Sequence, residues 1–205
     1  MVEIRFNGVG QSFEGREVLR DVTRNFVGGR ITAVAGPNGS GKSTLLRLAA
    51  RLMIPTSGRV ETFLDGAEVT GAAYRVLIGM ATPEMELYTR LTVRENLAFL
   101  LGARGVSVEE SALQDLLARI GLSTEVLSRP AGQLSTGMRQ RVRLAVLFGT
   151  DTDVWLLDEP GLALDKAGCA LLREEVRHAA ARGRLILWAT NDRAEKEAAD
   201  ACIDL

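Results

Sequence analysis

The chain has 205 residues, 46% of them hydrophobic, enough for one α/β core with a small inserted subdomain and too few for such a core fused to a membrane domain. Lys plus Arg number 25 and Asp plus Glu 26, and the resulting net charge of −1 argues against a nucleic-acid scaffold and for partners other than nucleic acid. The two cysteines, Cys169 and Cys202, match no metal-ligand spacing and read as small buried side chains of a protein kept in a reducing compartment.

Residues 1–13 lack the apolar stretch of a signal peptide. No segment approaches the ~20 apolar residues that cross a bilayer. The best candidate, residues 45–54, carries Arg47 and Arg51. A soluble chain is therefore expected, with any membrane role supplied by a partner. In chain order, residues 2–6 alternate as a strand with Val2, Ile4 and Phe6 on one face, and residues 18–27 form a second strand able to pair with it antiparallel. Residues 31–35 are a short apolar run ending in a Gly-rich turn, and residues 42–53 read as a helix. Strand, Gly-rich turn and helix in that order make a parallel α/β unit. Residues 58–64 form a strand, and residues 76–81 a strand or a turn. From 92 to 149 the signal is mostly helical, with Val93, Leu97 and Leu100 on one face and a possible capping box from Ser107 to Glu110. Residues 154–157 suit a buried parallel strand. A helix over 166–182, a second buried strand over 185–189 and a short helix over 192–199 follow. A helical insertion in an α/β core explains this order, because no linker-like stretch divides the chain.

Gly36-Pro37-Asn38-Gly39-Ser40-Gly41-Lys42-Ser43-Thr44 contains the pattern G-x-x-x-x-G-K-[ST]. Its glycines let the backbone curl so that successive N–H groups point inward, and the helix beginning near Lys42 adds its positive dipole end. That arrangement suits the phosphates of ATP. Lys42 bridges the β- and γ-phosphates in this reading, and the Ser43 hydroxyl is a ligand for Mg²⁺. Further along, the apolar run 154–157 ends in Asp158 and Glu159. Asp158 at the strand's carboxyl end suits the Mg²⁺ shell, and Glu159 points to another side and is free to polarise an attacking water.

Leu134-Ser135-Thr136-Gly137-Met138-Arg139-Gln140-Arg141 by itself fits a plain Ser-capped helix. Set between the phosphate loop and the acidic strand, it resembles the LSGGQ signature of the ABC ATPase family, and the chain resembles that family along nearly its whole length. The resemblance implies an α/β P-loop NTPase core of ABC ATPase type, with an N-terminal antiparallel β subdomain and an inserted α-helical subdomain. As a single ABC ATPase domain over 1–205, the catalytic core with its β subdomain takes about 1–82 and 150–205, and the helical signature subdomain about 83–149. It further implies that Ser135, Thr136, Gly137 and Met138 contact ATP held by a second ATPase subunit, an identical chain in a homodimer, so that two chains sandwich two ATP molecules. Leu162-Ala163-Leu164-Asp165 resembles the loop that runs along that seam. Phe13 stands where the family places an aromatic on adenine, although a core or loop phenylalanine reads equally from the residue alone.

Two family positions are unmatched. Pro83 occupies the slot of the family's loop glutamine, leaving Glu84 as a candidate oxygen toward Mg²⁺. Asn191 replaces the switch histidine, so it can still donate a hydrogen bond to a γ-phosphate oxygen but cannot take up a proton near neutral pH. The single histidine, His178, lies four residues after Glu174 and reads as a member of an exposed helical pair. Catalysis is thus expected from Glu159, Lys42 and Asn191, slowly until a partner completes the site.

By resemblance, residues 84–94 line the contact with an integral membrane permease, with Tyr88 and Leu91 as apolar contacts or as ordinary subdomain core. The same resemblance implies a cytoplasmic protein, peripheral on the inner face of the cell membrane. Residues 155–168 look most like the haem-exporter ATPase of cytochrome c maturation, although Gly161, Pro83 and Asn191 are unusual there. Rival readings are a short exporter ATPase for drugs, lipids or polypeptides, and a slow-turnover regulatory nucleotide-binding module. Soluble family members acting on ribosomes or DNA carry paired cassettes or long coiled-coil insertions that 205 residues do not hold.

Overall fold

The computed structural model describes residues 1–205. It divides into two compact units, one made of Met1–Met80, Thr152–Glu159 and Val176–Leu205, the other of Ala81–Asp151 and Pro160–Glu175. Residues 160–175 therefore group with the helical segment rather than with the sheet-bearing one.

In the first unit, β1 (Val2–Phe13) and β2 (Arg16–Val27) form an antiparallel hairpin. Glu14 and Gly15 turn the chain with positive φ. The alternation of Val2, Ile4 and Phe6 sends all three into the core. β1 continues well past residue 6, carried by pairing to β2 on one side and to β4 (Ser57–Leu64) on the other. With β5 (Ala67–Glu68) the antiparallel sheet has the order β2-β1-β4-β5.

The second sheet contains β3 (Arg30–Ala35), β6 (Ile78–Ala81), β7 (Val154–Asp158), β8 (Leu185–Ala189) and β9 (Ala201–Asp204), ordered β6-β7-β8-β3-β9. β3 is parallel to both β8 and β9, and β7 is parallel to β8. Every residue of β7 and β8 is buried, as their unbroken apolar runs require. α1 (Lys42–Ala49) packs on β7 and β8 through Leu45, Leu46 and Leu48, and the core continues through Phe6, Phe26, Tyr74 and Leu187.

The helix expected to reach 53 ends at Ala49, where Arg51 enters the left-handed region (φ 52°) ahead of Pro55. Residues 76–81 are neither one strand nor one turn: the short helix α2 (Gly71–Leu77) runs into β6 at Ile78. β9 was not foreseen, because four residues at an exposed sheet edge carry no usable alternation. Nor are the cysteines buried: Cys169 is half-buried and Cys202 is exposed on β9. An edge strand accepts a small apolar residue without covering it.

The second unit holds α3 (Val93–Gly102), α4 (Glu110–Arg119), short 3-10 turns at Thr124–Ser128 and Ala131–Gln133, α5 (Thr136–Gly149) and the start of α6 (Lys166–Ala181). α3 and α4 both pack on α5. The buried stripe of α3 is Val93, Leu97 and Leu101, the i, i+4, i+8 set, with Leu100 only half-buried. The capping box is not at Ser107. α4 takes Glu109 as its N-cap, with no side-chain bond, because the helix begins at Glu110 itself. The box sits on α3: the Thr92 hydroxyl accepts from the Glu95 N–H at 3.2 Å, and the Glu95 carboxylate accepts from the Thr92 N–H at 2.7 Å. The last short helix, α7 (Arg193–Glu197), closes the first unit. No helix is long and apolar enough to cross a membrane.

Candidate functional site

The loop from Gly36 to Gly41 joins β3 to α1, so it leaves the carboxyl end of a central parallel strand, where open α/β sheets bind ligands. It is wound tightly. Gly36 has φ 144°, and a Cβ there would meet the Ser40 hydroxyl at 2.5 Å and the Leu205 carbonyl at 2.8 Å. The Ser40 N–H closes a turn on the Pro37 carbonyl at 3.1 Å. α1 begins after Gly41 with no side-chain cap and no acid in its first turn, so its first N–H groups are left for an anion. The Ser40 hydroxyl is buried without a hydrogen-bond partner.

Lys42 is 5% exposed. Its ammonium donates to the Gly36 carbonyl at 2.9 Å and the Pro37 carbonyl at 3.2 Å, and stands 3.8 Å from Glu159 Oε1. The lysine thus lies folded along the loop, its charge held by carbonyl oxygens that a phosphate oxygen can replace. Asp158 ends β7 buried at 3% exposure, and Glu159 follows at φ 46°, its N–H donating to the Ala189 carbonyl at 2.9 Å. A left-handed glutamate costs about 1–2 kcal/mol. Here the hydrogen bond across to β8 holds it there, turning the carboxylate toward Lys42.

Asn191 reaches the same loop: its side-chain amide donates to Asn38 Oδ1 at 2.7 Å. Local chemistry fixes its place. Thr190 is buried, and its hydroxyl donates to buried Glu195 and accepts from the Asp192 N–H at 2.9 Å. Asp192 in turn caps α7 by accepting from the Glu195 N–H at 3.0 Å. The structure therefore brings Gly36, Pro37, Asn38, Ser40, Lys42, Glu159 and Asn191 into one constellation, with Ser43 and Thr44 opening α1 and Asp158 beside Glu159. Gly39 and Gly41 complete the loop.

Phe13 is at the tip of the β1–β2 hairpin, 42% exposed and not part of the core. Glu84 and Pro83 are exposed and belong to the second unit. No cluster of three or more His, Cys, Asp or Glu side chains could hold a metal by itself. The Ser43 hydroxyl opens α1 and the buried Asp158 carboxylate ends β7, two oxygen donors of the kind Mg²⁺ takes together with phosphate oxygens. His178 and Glu174 are both exposed on α6.

In the second unit, Ser135 caps α5 by accepting from the Met138 N–H at 3.2 Å. Thr136 is exposed, and Gly137 and Met138 are half-buried, all in the first turn of α5. Two groups escaped the sequence reading. One is Asn96, fully buried, whose amide donates to the Tyr88, Leu91 and Thr92 carbonyls and whose oxygen accepts from the Tyr88 N–H. The Thr92-x-x-Glu95 spacing marks the helix start that sets Asn96 under this loop, and was the signal available. The other is Arg141, for which no motif position announced a contact.

A Gly-rich loop between parallel strand and helix, with its lysine facing an acidic strand end, defines a P-loop nucleotide-binding protein. The ABC transporter family profile matches residues 19–161, and the chain belongs to the ABC transporter family, as an ATP-binding ABC ATPase domain. The cytochrome c biogenesis ATP-binding export protein CcmA of Bradyrhizobium diazoefficiens is 41% identical, over 86% of this chain and 86% of its own length. The sulfate/thiosulfate import ATP-binding protein CysA of Synechococcus elongatus is 40% identical over 86% of this chain, which spans only 50% of that relative. Among solved structures, an ATP-binding subunit of an ABC transporter superposes with a TM-score of 0.87 at 28% identity, over 98% of this chain and 85% of that one.

Proposed function

We propose that this chain is the ATP-binding and ATP-hydrolysing subunit of an ABC transporter that works as a pair of chains on a separate integral membrane permease, at the inner face of the cell membrane. The observation that carries the reading is Lys42, buried in its loop 3.8 Å from Glu159. A triphosphate entering the loop takes the lysine from the Gly36 and Pro37 carbonyls, and the N–H groups of the loop and of α1 bind its oxygens. Ser43 and Asp158 would hold Mg²⁺, which would supply charge neutralisation on the phosphates. Glu159 polarises the attacking water, Phe13 stacks on adenine, and Ser135–Met138 face the nucleotide of the second chain.

Asn191 supports slow turnover. It carries a hydrogen-bond donor to the phosphate loop and no titratable proton, and Pro83 removes the loop glutamine, so at the position of the switch histidine the γ-phosphate meets a neutral amide. Export, and haem as cargo for cytochrome c biogenesis, are the finer reading. The resemblance of residues 155–168 supports it, as does a near full-length match to one exporter of that kind, where the importer relative is matched over half its length. The exposed Tyr88–Phe99 edge-to-face pair, ring centroids 5.2 Å apart, is an apolar contact for the permease.

Calorimetry with Mg-ATP tests the nucleotide site: binding by the parent and its loss in Lys42→Ala are expected, and no affinity in the parent removes the reading. Co-purification with an integral membrane protein, and stimulation of ATP hydrolysis by haem in the reconstituted complex, test the transport and cargo assignments.

A further inference from the structure

Within the second unit, the first turns of α5 are fastened to residues 160–165 at successive points. At Gly137 the backbones touch: a Cβ there would lie 2.8 Å from the Ala163 carbonyl oxygen, and Ala163 itself is held at φ 67°. Three residues on, Gln140 is 7% exposed and donates to the Pro160 carbonyl at 2.9 Å. Arg141 then makes the widest tie. One arm of its guanidinium donates to the Ile120 and Gly121 carbonyls at 2.7 and 3.2 Å, and the other to Asp165 Oδ1 at 2.5 Å. Its side chain is only 13% exposed, while that of Asp165 is 69% exposed. The same Asp165 oxygen accepts the Gly168 N–H at 2.8 Å, opening α6. The Gly168 N–H and the nearby Arg141 charge hold the Asp165 carboxyl below its ordinary range, so it stays ionised opposite the arginine.

We infer that Arg141 is a positioning residue that locks residues 162–165 to the N-terminal end of α5, so that the two segments meet the second chain as one preformed surface. The inference rests on the two-chain reading above and goes beyond it by naming what holds the surface together. A guanidinium is the one side chain that fits, because it has donors in a planar fork for two carbonyls on one side and a carboxylate on the other. Lysine keeps the charge and loses the fork. Without the tie, Ala163 has strain and no restraint from Asp165, and the segment must be ordered during association, which weakens association through the entropy of that ordering.

The experiment uses full-length chain with Glu159→Gln, in which ATP is held without turnover. ATP-dependent pairing is measured by sedimentation, Mg-ATP affinity of the dilute chain by a fluorescent nucleotide, and melting without nucleotide by circular dichroism. Arg141→Ala is expected to weaken pairing at least about tenfold while nucleotide affinity stays within about twofold. Arg141→Lys should recover part of the loss. Asp165→Asn, which leaves the ties to Ile120 and Gly121 intact and guards against misfolding of the alanine variant, should weaken pairing in the same direction. The double variant should lose no more than Arg141→Ala alone. Pairing of Arg141→Ala or Asp165→Asn equal to that of the parent overturns the inference, as do additive losses in the double variant. A parent that binds Mg-ATP and never pairs overturns the two-chain reading, and this inference with it.

Discussion

Glu159 and Asn191 mark the two ends of what a single residue decides in this site. Glu159 occupies a backbone region that glutamate disfavours, at φ 46°, and its carboxylate is 34% exposed beside Lys42. Stored strain at a strand end is tolerated where position matters more than stability. Glu159→Gln keeps size and backbone and removes the base, so phosphate release in a steady-state assay should fall about a hundredfold or more with Mg-ATP affinity retained. Asn191 poses the opposite test. The parent has no group at that position that titrates between pH 6 and 8, so its turnover should be flat there. Asn191→His places a cation near the phosphate loop below about pH 6.5. Turnover should rise by about tenfold at pH 6 and lose that gain as pH rises past neutrality, because the imidazolium form is lost. An unchanged rate in Asn191→His would mean that the residue takes no part in the chemistry.

At the scale of elements, what was legible followed from periodicity and what was not followed from short or tertiary devices. The buried runs 154–157 and 185–189 lie inside β7 and β8, because a strand covered on both faces has little choice of composition. α3 was legible as a helix, but its polar buried residue was not: Asn96 reads as a surface residue until the loop folded over it supplies partners for all its polar atoms. The same holds for Arg141, whose partners come from two separate stretches of chain, residues 120–121 and Asp165. Asn191 was legible as a departure, and its contact with Asn38 was not, since it depends on how α7 is capped. The α3 capping box yields a prediction of its own. Thr92→Ala should cost about 1 kcal/mol in urea unfolding, the usual worth of an N-cap hydroxyl. Hydrogen bonds from the Thr92 amide and hydroxyl hold the Glu95 carboxyl below the ordinary glutamate range. A carboxyl lowered in the folded state stabilises above its unfolded value and loses that contribution as pH falls through its folded value. The penalty of Thr92→Ala should therefore be full at neutral pH and shrink as pH falls through the lowered range of the Glu95 carboxyl.

For the molecule as a whole, the distribution of tryptophan gives a probe of one unit at a time. Both tryptophans, Trp155 and Trp188, lie fully buried in β7 and β8, and the second unit has none. These strands carry Asp158 and Glu159 at the end of one and precede Asn191 at the end of the other, so tryptophan emission reports the unit that holds the phosphate loop. A ligand that binds the folded state alone stabilises by RT ln(1 + [L]/Kd), about 2.7 kcal/mol at a hundredfold excess over Kd. For a chain of this size that corresponds to about 5–10 °C in melting temperature. Mg-ATP should raise the tryptophan-monitored transition by that amount, and Lys42→Ala should abolish the shift while melting near the parent temperature without nucleotide. The control matters because Lys42 is buried and bonded to two carbonyls of its own loop. Its removal costs those bonds, but the Gly36 and Pro37 carbonyls it leaves lie next to exposed loop residues, where water can replace it. A shift that survives in Lys42→Ala would place the nucleotide elsewhere than the 36–44 loop.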